Sequence, residues 1–207
     1  MNTLELASFG PVIPVIVIDQ VADAVPLAEA LVDGGVRVLE VTLRTPVALQ
    51  CMQAIAKAVP GAIIGAGTVR SAADAKAALD VGCKFAVSPG YTSEVGRACR
   101  EIGLPLLPGV ATGSEVMTAT ADGYSFLKFF PATAAGGIPM LKAFAGPFPD
   151  VAFCPTGGIT PETAPHFLAL SNVKVCGGSW LTPADAVKSG DWSRIRQLAR
   201  EASALRA

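Results

Sequence analysis

The sequence predicts an α/β protein in which eight parallel strands, each followed by a helix, close into a (β/α)8 barrel. Short apolar runs alternate eight times with amphipathic helical stretches along the 207 residues. Short connections marked by Gly and Pro separate them, with no linker between two domains. The first strand–helix turn lacks a G-x-G-x-x-G pattern, which favours a closed barrel over an open doubly wound sheet. We therefore expect one barrel domain over residues 1–207.

The first half of the chain supplies four strand–helix units. A short helix over residues 1–9 precedes strands at 11–18, 36–44, 62–69 and 85–88. Helices follow at 22–33, 46–58, 72–81 and 92–102. Gly34 and Gly35 end the first helix, and Pro46 suits the first turn of the second, where its missing N–H costs nothing.

The second half repeats the same unit four more times. Strands are predicted at 105–110, 126–130, 151–155 and 173–176, and helices at 114–121, 138–145, 161–170 and 183–205. Gly or Pro follows each of these strands within three residues and ends it. Eight consecutive units of this kind are typical of a barrel that a single chain closes.

Composition excludes several classes of function. The formal net charge is −1, so there is no electrostatic case for binding nucleic acid or an anionic membrane surface. The apolar run at 11–18 is too short to span a bilayer. Five cysteines, never spaced as CxxC, indicate reduced thiols, and with no signal peptide visible they favour a cytoplasmic protein. The single histidine, His166, leaves no cluster of metal ligands, so we expect neither metal nor cofactor.

A lysine lies inside the sixth strand. In Phe126-Leu127-Lys128-Phe129-Phe130 a period of two places Lys128 on an apolar face, and the opposite face is apolar as well. Burial disfavours the charged ammonium, and the neutral amine is the form that attacks a carbonyl carbon to make a Schiff base. The alternative interpretation is a lysine whose head group reaches water at the strand end.

The second strand carries polar residues on one face. Glu40, Thr42 and Arg44 alternate with Val41 and Leu43, so they are expected to point into the barrel while the apolar residues meet the helices. Barrel active sites are built where strands end in this way. Glu40 and Arg44 could also form a purely structural ion pair. A buried pair contributes little net stability, which favours a functional role.

Glycine-rich turns follow other strands. One such run ends the third strand before Thr68, whose hydroxyl is predicted at the barrel rim. Gly157 and Gly158 follow the seventh strand, and a second glycine pair before Ser179 follows the eighth. Paired glycines form backbone nests whose N–H groups bind phosphate, and these two loops are the usual phosphate position in barrels. We predict a phosphate site here.

Six motifs occur in order along nearly the whole chain. They are Glu40-Val-Thr-Leu-Arg44-Thr45, Gly65-Ala-Gly-Thr68-Val69, Ser88-Pro-Gly90, Lys128-Phe-Phe-Pro-Ala132, Cys154-Pro-Thr-Gly-Gly-Ile159 and Gly177-Gly-Ser-Trp180. Together they resemble the family of 2-keto-3-deoxy-6-phosphogluconate (KDPG) aldolase, which also includes 4-hydroxy-2-oxoglutarate (KHG) aldolase activity.

The resemblance implies a metal-independent class I aldolase that cleaves 2-dehydro-3-deoxy-6-phosphogluconate into pyruvate and glyceraldehyde 3-phosphate. Lys128 would form the Schiff base, and Glu40 would transfer protons. The substrate would be held at its pyruvyl end by Arg44, Thr68 and Thr156 and at its phosphate by Gly157, Gly158 and Ser179. A homotrimer is the typical assembly of the family.

Three alternatives remain open at the level of sequence. A barrel isomerase or epimerase acting on a sugar phosphate would use the same glycine-rich loops. A relative acting on the galactonate isomer, 2-dehydro-3-deoxy-6-phosphogalactonate, would share Lys128 and Glu40, so only substrate kinetics separate it. A noncatalytic sugar-phosphate sensor is disfavoured because nucleophile, acid–base residue and anion grip occur together.

Overall fold

Strand–helix units succeed one another through the computed structural model of the protein, which describes residues 2–206. The strands are β1 (Val12–Ile16), β2 (Val38–Thr42), β3 (Ile63–Gly67), β4 (Phe85–Val87), β5 (Leu106–Leu107), β6 (Gly109–Val110), β7 (Phe126–Phe129), β8 (Ala152–Pro155) and β9 (Cys176–Gly178). The helices are α1 (Val21–Asp33), α2 (Ala48–Ala58), α3 (Ala72–Asp80), α4 (Ser93–Glu101), α5 (Gly113–Ala121), α6 (Gly137–Phe144), α7 (Ala164–Leu168), α8 (Ala184–Ser189) and α9 (Trp192–Ser203).

The named strands pair in parallel and curl around one axis. Six of them run in the order β5-β4-β3-β2-β1-β9, and the other three in the order β6-β7-β8. Two isolated parallel bridges, Phe153 with Val173 and Thr156 with Gly177, join β8 to the β9 segment in place of a continuous ladder. The predicted (β/α)8 barrel is confirmed, with this loosely closed seam.

The fifth predicted strand is two strands rather than one. β5 pairs with β4 and β6 pairs with β7, and only Pro108 separates them. Proline has no N–H for a ladder, so the pairing passes from one neighbour to the other at this residue. The side chain of Ser88 supports the break, because its Oγ accepts a hydrogen bond from the Gly109 N–H at 3.3 Å.

Two helical predictions also differ from the structure. The predicted region 183–205 is two helices, because Gly190 adopts a φ of 68° after α8 and Asp191 then caps α9. The helix predicted at 161–170 is shortened to α7. Side-chain oxygens accept from first-turn N–H groups at the starts of four helices, and these caps are Ser71, Thr92, Thr112 and Asp191.

The core has an inner and an outer part. Inside the barrel, Ile13, Val38, Phe85 and Phe126 pack together with other buried residues, and Leu6 joins them from a 3-10 helix at Leu4–Phe9. Residue 1 of the predicted N-terminal helix lies outside the described residues. The outer part packs strands against the surrounding helices. Within residues 2–206, no helix has the length and hydrophobicity that a membrane span requires.

Candidate active site

Lys128 points into the barrel from β7. Its neighbours Leu127 and Phe129 pack in the outer core, whereas Phe126 lies in the inner core, as the period of two predicts. The lysine is only 4% exposed, so its head group does not escape to water. Instead its Nζ donates a hydrogen bond to Glu40 Oε1 at 3.0 Å.

Glu40 comes from β2, on the predicted inward face. It is 3% exposed, and its carboxylate pairs with Lys128 rather than with Arg44, so the structural ion pair considered from sequence is not formed. Two residues on, the buried Thr42 Oγ1 donates to the Ile16 carbonyl at 3.0 Å and ties β2 to β1. The two members of this ion pair are 88 residues apart in sequence and come from different strands.

Arg44 and Thr68 meet at the rim. The Arg44 Nε donates to Thr68 Oγ1 at 3.2 Å, and the arginine side chain is exposed to solvent. Thr68 has a φ of 63°, a left-handed conformation that is costly for a β-branched residue and is found mainly at functional sites. The turn after β3 therefore contains an energetically unfavourable backbone conformation at Thr68, and the hydroxyl of this residue contacts Arg44.

A cavity of about 110 Å³ opens at the carboxyl ends of the strands. Its wall is formed by Val15, Arg44, Lys128, Phe130, Thr156, Gly157, Gly158, Ile159, Gly177 and Ser179. Six of the eight predicted site residues are in this wall, and the other two are bonded to it, Glu40 through Lys128 and Thr68 through Arg44. A larger cleft of about 600 Å³ adjoins the cavity and shares Val15 and Ser179 with it.

The turn after β8 presents backbone donors to the cavity. Gly157 and Gly158 have φ values of 104° and 75°, which favour glycine. The carbonyls of Thr156 and Gly157 accept from the N–H groups of Ala132 and Thr133 at 2.8 and 3.1 Å, which anchors the turn. The Gly158 N–H donates to no acceptor within residues 2–206, whereas the Gly157 N–H faces β9 across the Thr156–Gly177 bridge. The Gly158 N–H is available to an anion.

The cavity is electrostatically suited to anions. Lys128 and Glu40 offset each other's charge, so Arg44 gives the cavity wall a net positive charge, and the free Gly158 N–H lies in the same wall. The Lys128 ammonium also lies 5.3 Å from the centroid of the Phe130 ring, within cation–π range. Cys154 lies on β8, in register with Lys128 on β7. It is not a competing nucleophile, because burial raises the pKa of its thiol to about 12, although the charge of Lys128 acts to lower it.

The described residues contain no ready-made metal centre. No group of three or more His, Cys, Asp and Glu side chains within residues 2–206 is arranged to hold a metal ion. His166 is exposed on α7.

Some wall residues were not predicted from the sequence. Val15 is in register with Glu40, and only the pairing of β1 with β2 could have placed it there. Gly177 belongs to the glycine pair predicted before Ser179, but its second role was not predicted: it gives space to Thr156, because a Cβ on this glycine would lie 2.1 Å from the threonine Oγ1. Ile159 and Phe130 belong to recognised motifs but carry no polar group that would single them out.

Fold and site together define a barrel protein equipped for lysine-based chemistry on an anionic carbonyl compound. Residues 5–198 match the family model described as aldolase, KDPG and KHG aldolase. The chain therefore belongs to the KDPG and KHG aldolase family, as its motifs predicted.

Several relatives are similar over nearly their full length. A 2-dehydro-3-deoxy-phosphogluconate aldolase of Pseudoalteromonas atlantica is 52% identical over 99% of this chain and 95% of its own. The KHG/KDPG aldolase of Escherichia coli K12 is 53% identical over 93% and 91%. A crystal structure of KDPG aldolase from Legionella pneumophila, with pyruvate captured as a covalent carbinolamine, is 48% identical with a TM-score of 0.96 over 99% of both chains. A native KDPGal structure is more distant, at 31% identity and a TM-score of 0.81 over 92% and 91%.

Proposed function

We propose that the protein is a class I aldolase that cleaves 2-dehydro-3-deoxy-6-phosphogluconate into pyruvate and glyceraldehyde 3-phosphate. The observation that carries this proposal is the 3.0 Å contact between Lys128 Nζ and Glu40 Oε1 inside the barrel. A buried carboxylate at this distance can take a proton from the ammonium directly, which leaves the amine nucleophilic. Membership of a family whose members are named for this reaction supports the same assignment.

The cleavage can be written with these two residues alone. The Lys128 amine attacks the C2 carbonyl, and loss of water gives an iminium. Glu40 returns the proton that it took from Lys128 to the departing hydroxyl, and as a carboxylate it then removes the C4 hydroxyl proton. The C3–C4 bond breaks, its electrons enter the iminium to form an enamine, and glyceraldehyde 3-phosphate leaves. The protonated Glu40 delivers its proton to C3, and water hydrolyses the resulting iminium to release pyruvate. The iminium is the electron sink, so no step requires a metal.

The two ends of the substrate have different partners. Arg44, supported by Thr68, offers a planar fork that suits the carboxylate of the pyruvyl half, and Thr156 adds a hydroxyl near Lys128. At the other end, the turn at Gly157 and Gly158, with the free N–H of Gly158, and Ser179 suit the phosphate. These roles are proposed from the placement of the residues around one cavity.

The gluconate isomer is favoured over the galactonate isomer. Identity is 48% to the Legionella pneumophila KDPG aldolase but 31% to the native KDPGal structure. Activity on 4-hydroxy-2-oxoglutarate is a second candidate, because the Escherichia coli relative, at 53% identity, is named for both substrates.

We also propose that residues 1–207 act as a single aldolase domain. We further propose that the chain assembles as a homotrimer, and analytical ultracentrifugation would test this by measuring the mass of the assembly. A cytoplasmic location is proposed as well. It is supported by buried thiols at Cys51, Cys83, Cys99 and Cys154, which suit a reducing compartment.

The function is tested by trapping the covalent intermediate. Borohydride added with pyruvate should attach a three-carbon adduct to Lys128, located by mass mapping of peptides. Lys142 and Lys174 are internal controls, because both are exposed and neither lines the cavity. Lys128→Arg keeps a charge but cannot form a Schiff base, so it should fold without turnover or adduct. An adduct on either control lysine, or on the folded variant, would overturn the proposal.

A further inference from the structure

The side chain of Glu40 lies directly over Gly67. A Cβ atom on Gly67 would be 2.4 Å from Glu40 Oε1, 2.7 Å from its Cγ and 3.0 Å from its Cδ. Oε1 is the oxygen that accepts the hydrogen bond from Lys128. Any side chain at position 67 would therefore meet the carboxylate at the atom that makes this contact.

The backbone register shows how Glu40 reaches this position. Glu40 pairs across the sheet with Gly65, whereas Gly67 pairs with Thr42. The glutamate side chain thus leans two residues along β3 toward its carboxyl end, where the cavity opens. The space beside Gly65 is filled in a similar way by Phe85, because a Cβ on Gly65 would lie 2.2 Å from Cζ of that ring. β3 contributes no side chain at these two inner levels, and Phe85 and Glu40 occupy the space.

We infer that Gly67 is a positioning residue whose missing side chain forms a slot that holds the Glu40 carboxylate against Lys128. The requirement is one of space alone, because Gly67 is not among the glycines with positive φ. Glu40 is 3% exposed, so a displaced carboxylate has little room to settle elsewhere within bonding distance of Lys128. The inference rests on the proposed function, in which Glu40 transfers protons.

The test compares Gly67→Ala with an alanine substitution of a second glycine, which follows the next strand, β4. Gly90→Ala is the control, since a Cβ there meets nothing within 4 Å and Gly90 has no positive φ. Gly67→Ala should slow exchange of the pyruvate methyl protons by roughly tenfold or more while borohydride still traps pyruvate on Lys128, because the acid–base group moves but the amine remains. Gly90→Ala should match the parent protein in both measurements.

A stability cycle tests the slot without reference to catalysis. Gly67→Ala should lower Tm by roughly 3–10 °C in the parent protein, because overpacking a dense interior is destabilising. In a Glu40→Ala background the same change should lower Tm by no more than roughly 2 °C, because the clashing atoms are gone. If Gly67→Ala fails to fold, a folded Glu40→Ala/Gly67→Ala double variant supports the slot, and failure of the double variant when Glu40→Ala alone folds overturns it.

Different results would contradict the slot at Gly67 and the proposed proton-transfer role of Glu40. Equal Tm losses in both backgrounds, or parent-like exchange in a folded Gly67→Ala protein, would overturn the slot. If Glu40→Gln slows exchange in the same assay, the proposed function survives that result. Parent-like exchange in Glu40→Gln would instead remove Glu40 from the chemistry, whatever the Tm cycle shows about packing.

Discussion

The Lys128–Glu40 pair is costly for the fold, and this cost indicates its purpose. Both side chains are at most 4% exposed, so two charges have been taken out of water for one hydrogen bond of 3.0 Å. Pairs of this kind are often no better for stability than apolar residues of the same volume. The surrounding inner core is apolar, with Ile13, Val38 and Phe126 as members, so nothing in the packing requires a pair there. The proposed proton transfer would require one.

Glu40→Gln separates a structural role from proton transfer at this residue. The variant leaves the Lys128 ammonium without its carboxylate, and breaking a buried pair in this way destabilises a protein by about 3–5 kcal/mol. If Glu40 moves protons, exchange at the pyruvate methyl should also slow by roughly 10²–10⁴-fold in the protein that remains folded. Proton NMR in D₂O measures exchange, and urea unfolding measures stability. Glu29→Gln on the exposed face of α1 is the control and should change neither.

The identities of the site residues were accessible from sequence, but their contacts were not. A lysine in a doubly apolar strand and a polar face on β2 single out Lys128, Glu40 and Arg44 without any coordinates. The sequence could not show which residue pairs with Glu40. Arg44 lies only four residues away along the chain, whereas the observed partner, Lys128, lies 88 residues away. Only the closing of the barrel brings β2 and β7 together. The left-handed φ of Thr68 was likewise invisible, since nothing in a threonine predicts it.

At the scale of elements, the break at Pro108 determines where Lys128 lies. The Pro108 carbonyl accepts the Lys128 backbone N–H at 2.8 Å, and Gly109 is the register partner of Lys128. Gly109 also packs closely against the end of β4, since a Cβ there would lie 2.5 Å from the Pro89 carbonyl carbon. The strand that carries the lysine is thus held to β4 through one proline, one glycine and the Ser88 hydroxyl.

Ser88→Ala tests this junction. Ser88 is 1% exposed, and its Oγ is the acceptor for the Gly109 N–H. The variant leaves a buried donor without a partner, which should lower the free energy of unfolding by about 1–3 kcal/mol. Ser8→Ala is the matched control, because the Ser8 hydroxyl is exposed on the 3-10 helix at Leu4–Phe9, where water replaces its contact with the Glu5 carbonyl. In urea unfolding, Ser88→Ala should lower the free energy of unfolding and Ser8→Ala should change it little. Equal losses in the two variants would show that the Ser88–Gly109 hydrogen bond does not stabilise the protein in particular.

The order of elements could be predicted, whereas their irregularities could not. Apolar periodicity and Gly or Pro punctuation predicted the order of the strand–helix units, because each unit must bury one face against the next. The last strand is displaced, since it was predicted at 173–176 and β9 shares only Cys176 with that range. Apolar residues lie on both sides of Pro108 and Gly109, so the pattern predicted one strand at 105–110 where the ladder changes partner. The division between α8 and α9 was similarly hidden, although Gly190 and Asp191 are a helix-ending glycine followed by a capping residue.

At the scale of the whole molecule, buried thiols connect composition with stability. Cysteine count and spacing predicted reduced thiols, and the structure places Cys83, Cys99 and Cys154 in the interior. Burial raises the pKa of Cys83 from an ordinary value of 9.0 to about 12, and that of Cys99 to about 11. The depth of each thiol could not be read from composition, because it depends on which helix face or strand face the barrel turns inward.

Stability should therefore fall as the pH rises from about 9 to about 12. In this window the unfolded chain releases thiol protons that the folded chain retains, so the folded state binds more protons and each such thiol lowers the free energy of unfolding by about 1.4 kcal/mol per pH unit. Urea unfolding at pH 8.0 and at about 10.5 measures the slope. Cys83 packs beside Met52 on the outer side of the barrel, with its Sγ 3.5 Å from Sδ, and it lines none of the cavity. Cys83→Ala should consequently lower stability at pH 8.0 through the lost volume yet show a shallower decline toward high pH. A slope equal to that of the parent would mean that the thiol at position 83 ionises as readily in the folded chain as in the unfolded one.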